Sequence, residues 1–238
     1  MPGEVYMPMD VENGASLLQR SAVPAFWVVA CVLILFMVLL FNTYKKTNEK
    51  LFLLVGAFAF GLFYEAFVLA LGSTLGEGLL ILVLTRVRYI LYGMLIPMMF
   101  LICAFALELQ GKWQKAAWIS TGVFMLLGVV SGSVVGLAPE TDEELFRYAI
   151  ASPAIWETVL HGIVYFGTAL VLLGTGVAVW VKWETPRLLI AGLLMLACVA
   201  ASVFLRDAGV FVSLFGQIMV LLFLYLYARW EAHLSLTE

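Results

Sequence analysis

Seven apolar runs, at residues 24–43, 51–71, 79–107, 116–137, 153–181, 187–205 and 209–229, take up most of this 238-residue chain. A helix needs about 20 predominantly apolar residues to cross the hydrocarbon of a bilayer, and each run reaches that length. Lipid admits only segments that satisfy their backbone internally, so runs of this kind become helices. The spacing therefore predicts an all-α integral membrane bundle of seven transmembrane helices. The third and fifth runs are longer than a bilayer requires and are expected to tilt or to begin above the hydrocarbon. Hydrophobic residues make up 64% of the chain and charged residues 12%, against about half and about a quarter in an ordinary soluble domain. Little chain remains for a soluble domain. The expected organisation is an extracellular segment 1–23, a membrane domain 24–230 and a cytoplasmic tail 231–238.

Residues 1–23 carry Glu4, Asp10 and Glu12 and no basic stretch before an apolar core. That is unlike a signal peptide, and the first run reads as an uncleaved helix. The loop after the first run holds Lys45, Lys46 and Lys50; Lys112 and Lys115, then Lys182 and Arg187, fall in later loops on the same side, and Arg229 closes the last run there. The other side has the acidic N-terminus and a loop with Glu140, Asp142, Glu143 and Glu144. An excess of Lys and Arg marks cytoplasmic loops, so the N-terminus is expected outside and the C-terminus in the cytoplasm, with the plasma membrane as the expected location. Trp27 and Trp156 would mark the outer interface; Trp113, Trp118, Trp180, Trp183 and Trp230 would mark the inner one.

Local signals refine the helix ends. Pro24, Pro153 and Pro186 occupy positions that a first helical turn tolerates, with Ser152 and Thr185 as N-caps. Gly111 is suited to closing the third helix. Thr141-Asp142-Glu143-Glu144 fits a capping box, which predicts a short surface helix over 141–150. Pro97 frees the carbonyl of Gly93 and predicts a kink in the third helix, either a hinge or a static bend. Gly128, Gly132 and Gly136, spaced by four, form a groove for close helix approach, filled either by a neighbour within the chain or by a second copy or partner membrane helix. Cys31, Cys103 and Cys198 lie within apolar runs and read as small buried hydrophobes.

A charge in hydrocarbon is costly, which makes each one a functional candidate. Glu65 lies in the second run, Arg86 and Arg88 in the third, Glu157 and His161 in the fifth, Arg206 and Asp207 at the end of the sixth, and Gln217 in the seventh. With the orientation above, all fall in the extracellular half. Glu157 and His161 are four apart and share a helix face. Thr168 and Thr175 extend that stripe; Ser213, Gln217 and Tyr225 form another; Arg88 and Tyr92 add a third. The expected pocket residues are Glu65, Arg88, Tyr92, Glu157, His161, Arg206 and Gln217. Two readings remain open: an outward-facing polar pocket or half-channel, and ion pairs that fix helix registry. A Glu65–Arg88 pair is expected in either case.

Much chemistry is missing. His161 and His233 are the only histidines, which excludes a multi-histidine zinc site and bis-histidine haem. No nucleotide-binding glycine loop or nucleophile elbow occurs. Ser131-Gly132-Ser133 places serine beside glycine, and a pairing of this stretch with His161 would be the sole hint of an intramembrane hydrolase. No metal and no nucleic-acid partner is expected.

Residues 88–97 read Arg88-Tyr89-Ile90-Leu91-Tyr92-Gly93-Met94-Leu95-Ile96-Pro97. This segment resembles the third helix of microbial rhodopsins, in which Arg-Tyr begins a stretch that reaches Pro nine residues after the Arg. The resemblance implies a seven-helix bundle with its N-terminus outside and structural roles for Arg88, Tyr89 and Pro97. It also implies departures. That family binds retinal through a lysine of the seventh helix, whereas the last lysine here is Lys182. The counterion and proton-donor positions of the third helix correspond to Leu91 and Ile102. The expectation is an opsin-like protein without covalent retinal, not an enzyme, that serves as a receptor, sensor or membrane interaction subunit. A small transporter or ion-conducting protein using Glu65, Glu157 and His161 is the alternative.

Overall fold

The computed structural model describes residues 22–142, 145–151, 154–204 and 209–234. Seven helices run α1 (Ala22–Thr47), α2 (Lys50–Leu75), α3 (Leu79–Ala106), α4 (Lys112–Val134), α5 (Ile155–Trp183), α6 (Arg187–Phe204) and α7 (Gly209–Leu234). Six are long and apolar enough to cross a membrane, and α6 is shorter over its described residues. This is an integral, multi-pass membrane architecture. Consecutive helices pack against one another, and α7 returns to α2 to close the ring. The core joins side chains of α1, α2, α3, α5, α6 and α7, among them Leu40, Leu62, Ile102, Leu172, Leu188 and Leu224, all nearly inaccessible. Lipid is as apolar as these side chains, so their cohesion comes from close packing rather than from exclusion of water.

Helix directions alternate along the chain. All six lysines therefore fall at one end, where Lys182 and Glu108 pair at 3.1 Å. A two-stranded antiparallel hairpin closes the opposite end, β1 (Leu137–Asp142) with β2 (Leu145–Ile150). It replaces the surface helix expected over 141–150. The capping-box pattern is local, whereas pairing across the hairpin gives each strand backbone partners that one helical turn could not supply. Ala151 N–H donates to the Gly136 carbonyl at 2.9 Å, and Arg147 is salt-bridged to Glu140 at 2.7 Å, so the hairpin is pinned at its base and across its middle. β2 packs on α2 and on the first half of α3, Leu79–Leu95.

At Pro97, α3 passes through a single 3₁₀ turn, Ile96–Met98, between α-helical halves Leu79–Leu95 and Met99–Ala106. The expected break is present, in the form a missing N–H favours. Gly111 does not close α3, which ends at Ala106; it takes a left-handed φ of 61° at the position before α4. α6 begins at Arg187, with Ile190 N–H bonded to Pro186. Ser152 and Pro153, the segment 1–21, Glu143, Glu144 and the tail from 235 lie outside the described residues.

The glycine groove of α4 is filled from within the chain. A Cβ on Gly128 would overlap the Gly93 carbonyl, and one on Gly132 would stand 2.6 Å from the Tyr89 carbonyl oxygen. α3 thus meets α4 backbone to backbone. Gly136 falls beyond the helix end. Arg86 reinforces this seam by donating to the carbonyls of Ser133, at 2.9 Å, and Val135, which the end of α4 leaves without helical partners. Cys103 and Cys198 are buried, but Cys31 faces outward from α1, contrary to expectation.

Candidate functional site

A cavity of about 490 Å³ opens at the hairpin end of the bundle. Glu65, Arg88, Tyr92, Glu157, His161 and Gln217 all line it. These are six of the seven expected residues, and Arg206, like Asp207, lies outside the described residues. Helical periodicity explains the convergence. On α3, Arg88, Tyr92 and Ile96 are successive residues of one face; on α5, Glu157, His161 and Tyr165 are spaced the same way. Phe58 and Glu65 come from α2, Met195, Cys198 and Val199 from α6, and Ser213, Gln217 and Val220 from α7. The roof is Val135 with Arg147, Tyr148, Ala149 and Ile150 of β2.

A polar chain crosses the site. The Tyr92 hydroxyl donates to Glu65 Oε2. Gln217 Oε1 lies 2.9 Å from the same hydroxyl, and Gln217 Nε2 lies 2.9 Å from Ser213 Oγ. One hydroxyl proton serves one acceptor at a time. Turning the Gln217 amide over lets Nε2 donate to Tyr92 and Oε1 accept from Ser213, which satisfies every group. This links α2, α3 and α7.

The expected Glu65–Arg88 ion pair is not formed. Glu65 takes Tyr92 as its partner, while Arg88 lies over the Tyr89 ring, its guanidinium carbon 4.8 Å from the centroid, and acts on Glu65 through space. The physical reason is spacing. Tyr92 is one turn from Arg88 on the same face, and its shorter, rigid side chain reaches the carboxylate while the guanidinium stacks.

His161 stacks on Tyr165 with ring centroids 4.1 Å apart, and its Nδ1 lies 3.4 Å from Ser131 Oγ. Of the two serines beside Gly132, Ser131 is the one within reach of His161. Ser131, however, is 3% exposed and wedged between α4 and α5, away from the cavity lining. A substrate in the cavity meets the imidazole before the hydroxyl. Lower on the two stripes, the polar residues leave the site. Thr168 is buried and bonds back to the Val164 carbonyl at 2.7 Å, and Tyr225 packs edge-on against Phe36 in the core.

Sequence reasoning missed the hairpin roof and the wall formed by Tyr165, Phe166 and Met195. Tyr165 was reachable, being one turn beyond His161. Met195 and Phe166 carry no polar signal. No group of three or more metal-ligating side chains occurs among the described residues. No protein-family model matches the sequence, and no curated protein is significantly similar to it.

Proposed function

We propose that this chain is a seven-span, opsin-like membrane receptor or sensor that binds a small molecule in an outward-facing pocket without covalent retinal. The observation that carries this reading is the cavity, walled by five helices and roofed by a hairpin, with its few polar groups gathered at the hairpin end. Such a site, largely preformed and apolar with a few convergent polar groups, is the form that small-molecule pockets take. The lysine-rich end would face the cytoplasm by the excess of positive charge there. α6 would complete the seventh crossing.

A binding role is favoured over conduction by what lies beneath. Below Ile96, Tyr165 and Val220 come Met99, Ile102, Leu172 and Leu224, all buried in one apolar cluster. A conducted ion would have to cross that layer without a charged side chain beside it, the buried hydroxyls of Thr168 and Thr175 being the nearby polar groups, at high cost. The opsin-like kinship rests on Arg88-Tyr89 and Pro97, and with the last lysine at Lys182 the purified protein should show no visible pigment band.

The test pairs two measurements on the full-length protein. A thermal-stability screen against a small-molecule panel should find stabilising ligands whose effect is lost in Tyr165→Ala. Reconstituted liposomes should show no protein-dependent proton or ion flux. Flux that disappears in Glu65→Gln would instead establish the transporter reading.

A further inference from the structure

We infer that the cavity takes an amphipathic monocarboxylate, its carboxylate held by Arg88 and its apolar body lying against Ile96, Tyr165, Phe166 and Met195. This rests on the pocket reading above and adds the chemical class of the ligand. The cations at this end are occupied differently. Arg86 is committed to the carbonyls of Ser133 and Val135, and Arg147 to Glu140. Arg88 alone of the three is 8% exposed, lines the cavity and makes no ion pair among the described residues. The nearest carboxylate, Glu65, is already bonded to Tyr92.

A buried charge without a counter-charge is expensive. The planar guanidinium fork matches a carboxylate with two parallel bonds. A ligand carboxylate would give Arg88 a directly bonded counter-charge, beyond the Tyr89 side chain it bonds and the through-space pull of Glu65. A cationic headgroup would be repelled by Arg88, and a second negative charge would meet Glu65 and Glu157. One negative charge is therefore the fit. The remaining wall is aromatic and aliphatic, which calls for an apolar body. Phe166 lines the cavity and is also 42% exposed on the outer face of α5. The Phe166 side chain thus reaches both the cavity and the outside of the bundle, where an amphiphile in lipid would approach it.

The experiment uses the full chain in phosphatidylcholine nanodiscs and three dodecyl probes bearing the same terminal diazirine: a carboxylate, a trimethylammonium and an alcohol. After irradiation, peptide mapping locates the adducts. The carboxylate probe should label Tyr165, Phe166 or Met195 and be displaced by unlabelled dodecanoate. The other two probes should label these residues at least about tenfold less, the equivalent of one carboxylate–arginine interaction. Arg88→Gln should lower carboxylate labelling to that level, and Arg88→Lys should keep part of it. Should Arg88→Gln fail to fold, the three headgroups compared on the unaltered protein decide the matter. Equal or stronger cavity labelling by the ammonium probe would overturn the carboxylate assignment and leave the pocket standing. Adducts confined to lipid-facing residues such as Leu170 and Val171 would overturn it too, and the thermal screen would then judge the pocket separately.

Discussion

Tyr92 of α3 gives its hydroxyl proton to Glu65 of α2, and this bond, not an ion pair with Arg88, ties the two helices together at the hairpin end of the bundle. Removing the donor leaves a carboxylate with no bonded partner in a poorly solvated place. Tyr92→Phe should destabilise the protein by about 1–3 kcal/mol. A double-mutant cycle with Glu65→Gln, read by unfolding in denaturing detergent, should show stronger coupling of Glu65 to Tyr92 than to Arg88. The reverse order would restore the ion pair as the main link.

The Gly93–Gly128 contact leaves no room for a methyl group on either helix. Gly93→Ala and Gly128→Ala should each cost about 1–3 kcal/mol or more by overpacking. Gly174→Ala on α5, where an added Cβ meets nothing within 4 Å, should be neutral or stabilise by up to about 1 kcal/mol through helix propensity. Melting temperatures of the three purified variants provide the comparison, and equal effects would mean the α3–α4 seam is looser than described.

Orientation can be read with introduced cysteines in a Cys31→Ala background. Glu140→Cys, on the hairpin, should react with a membrane-impermeant maleimide on intact cells, and Lys46→Cys should react only after permeabilisation. Reaction of Lys46→Cys alone would turn the cavity toward the cytoplasm.

Ser131 lies 3.4 Å from His161 but is buried between helices. A fluorophosphonate probe should leave it unmodified, and Ser131→Ala should retain the fold and ligand-induced stabilisation. Covalent labelling at Ser131 would bring back an intramembrane hydrolase.

The helices were legible because hydrocarbon imposes one rule on every spanning segment, and length with hydropathy reports it directly. The cavity's polar members were legible for a related reason: a charge such as Arg88 or Glu65 in a span must face inward. What charge alone could not reveal was its partner. Glu65 chose between Arg88 and Tyr92 on side-chain reach, which depends on the angle between helices. The hairpin was misread because Thr141 to Glu144 carries a local helix-start pattern, while β1 and β2 owe their pairing to each other and to α2. Tyr165 could have been found by extending the His161 face one more turn, but Met195 and Phe166 are indistinguishable in sequence from any lipid-facing or core residue.

Both walls of the cavity are backed by a backbone-to-backbone seam. Arg88 and Tyr92 belong to the stretch of α3 whose backbone rests on the backbone of α4, with no side-chain layer between to deform. Across the cavity, α5 and α6 meet as closely: a Cβ on Gly192, one turn from Met195, would stand 2.7 Å from the Leu173 Cα, and one on Gly176 would stand 2.5 Å from the Leu189 Cα. A guest would thus meet two jaws with fixed frames, and only side chains such as Tyr165, Phe166 and Met195 could shift to receive it. Accommodation of different tails should come from changes of rotamer rather than from helices moving apart.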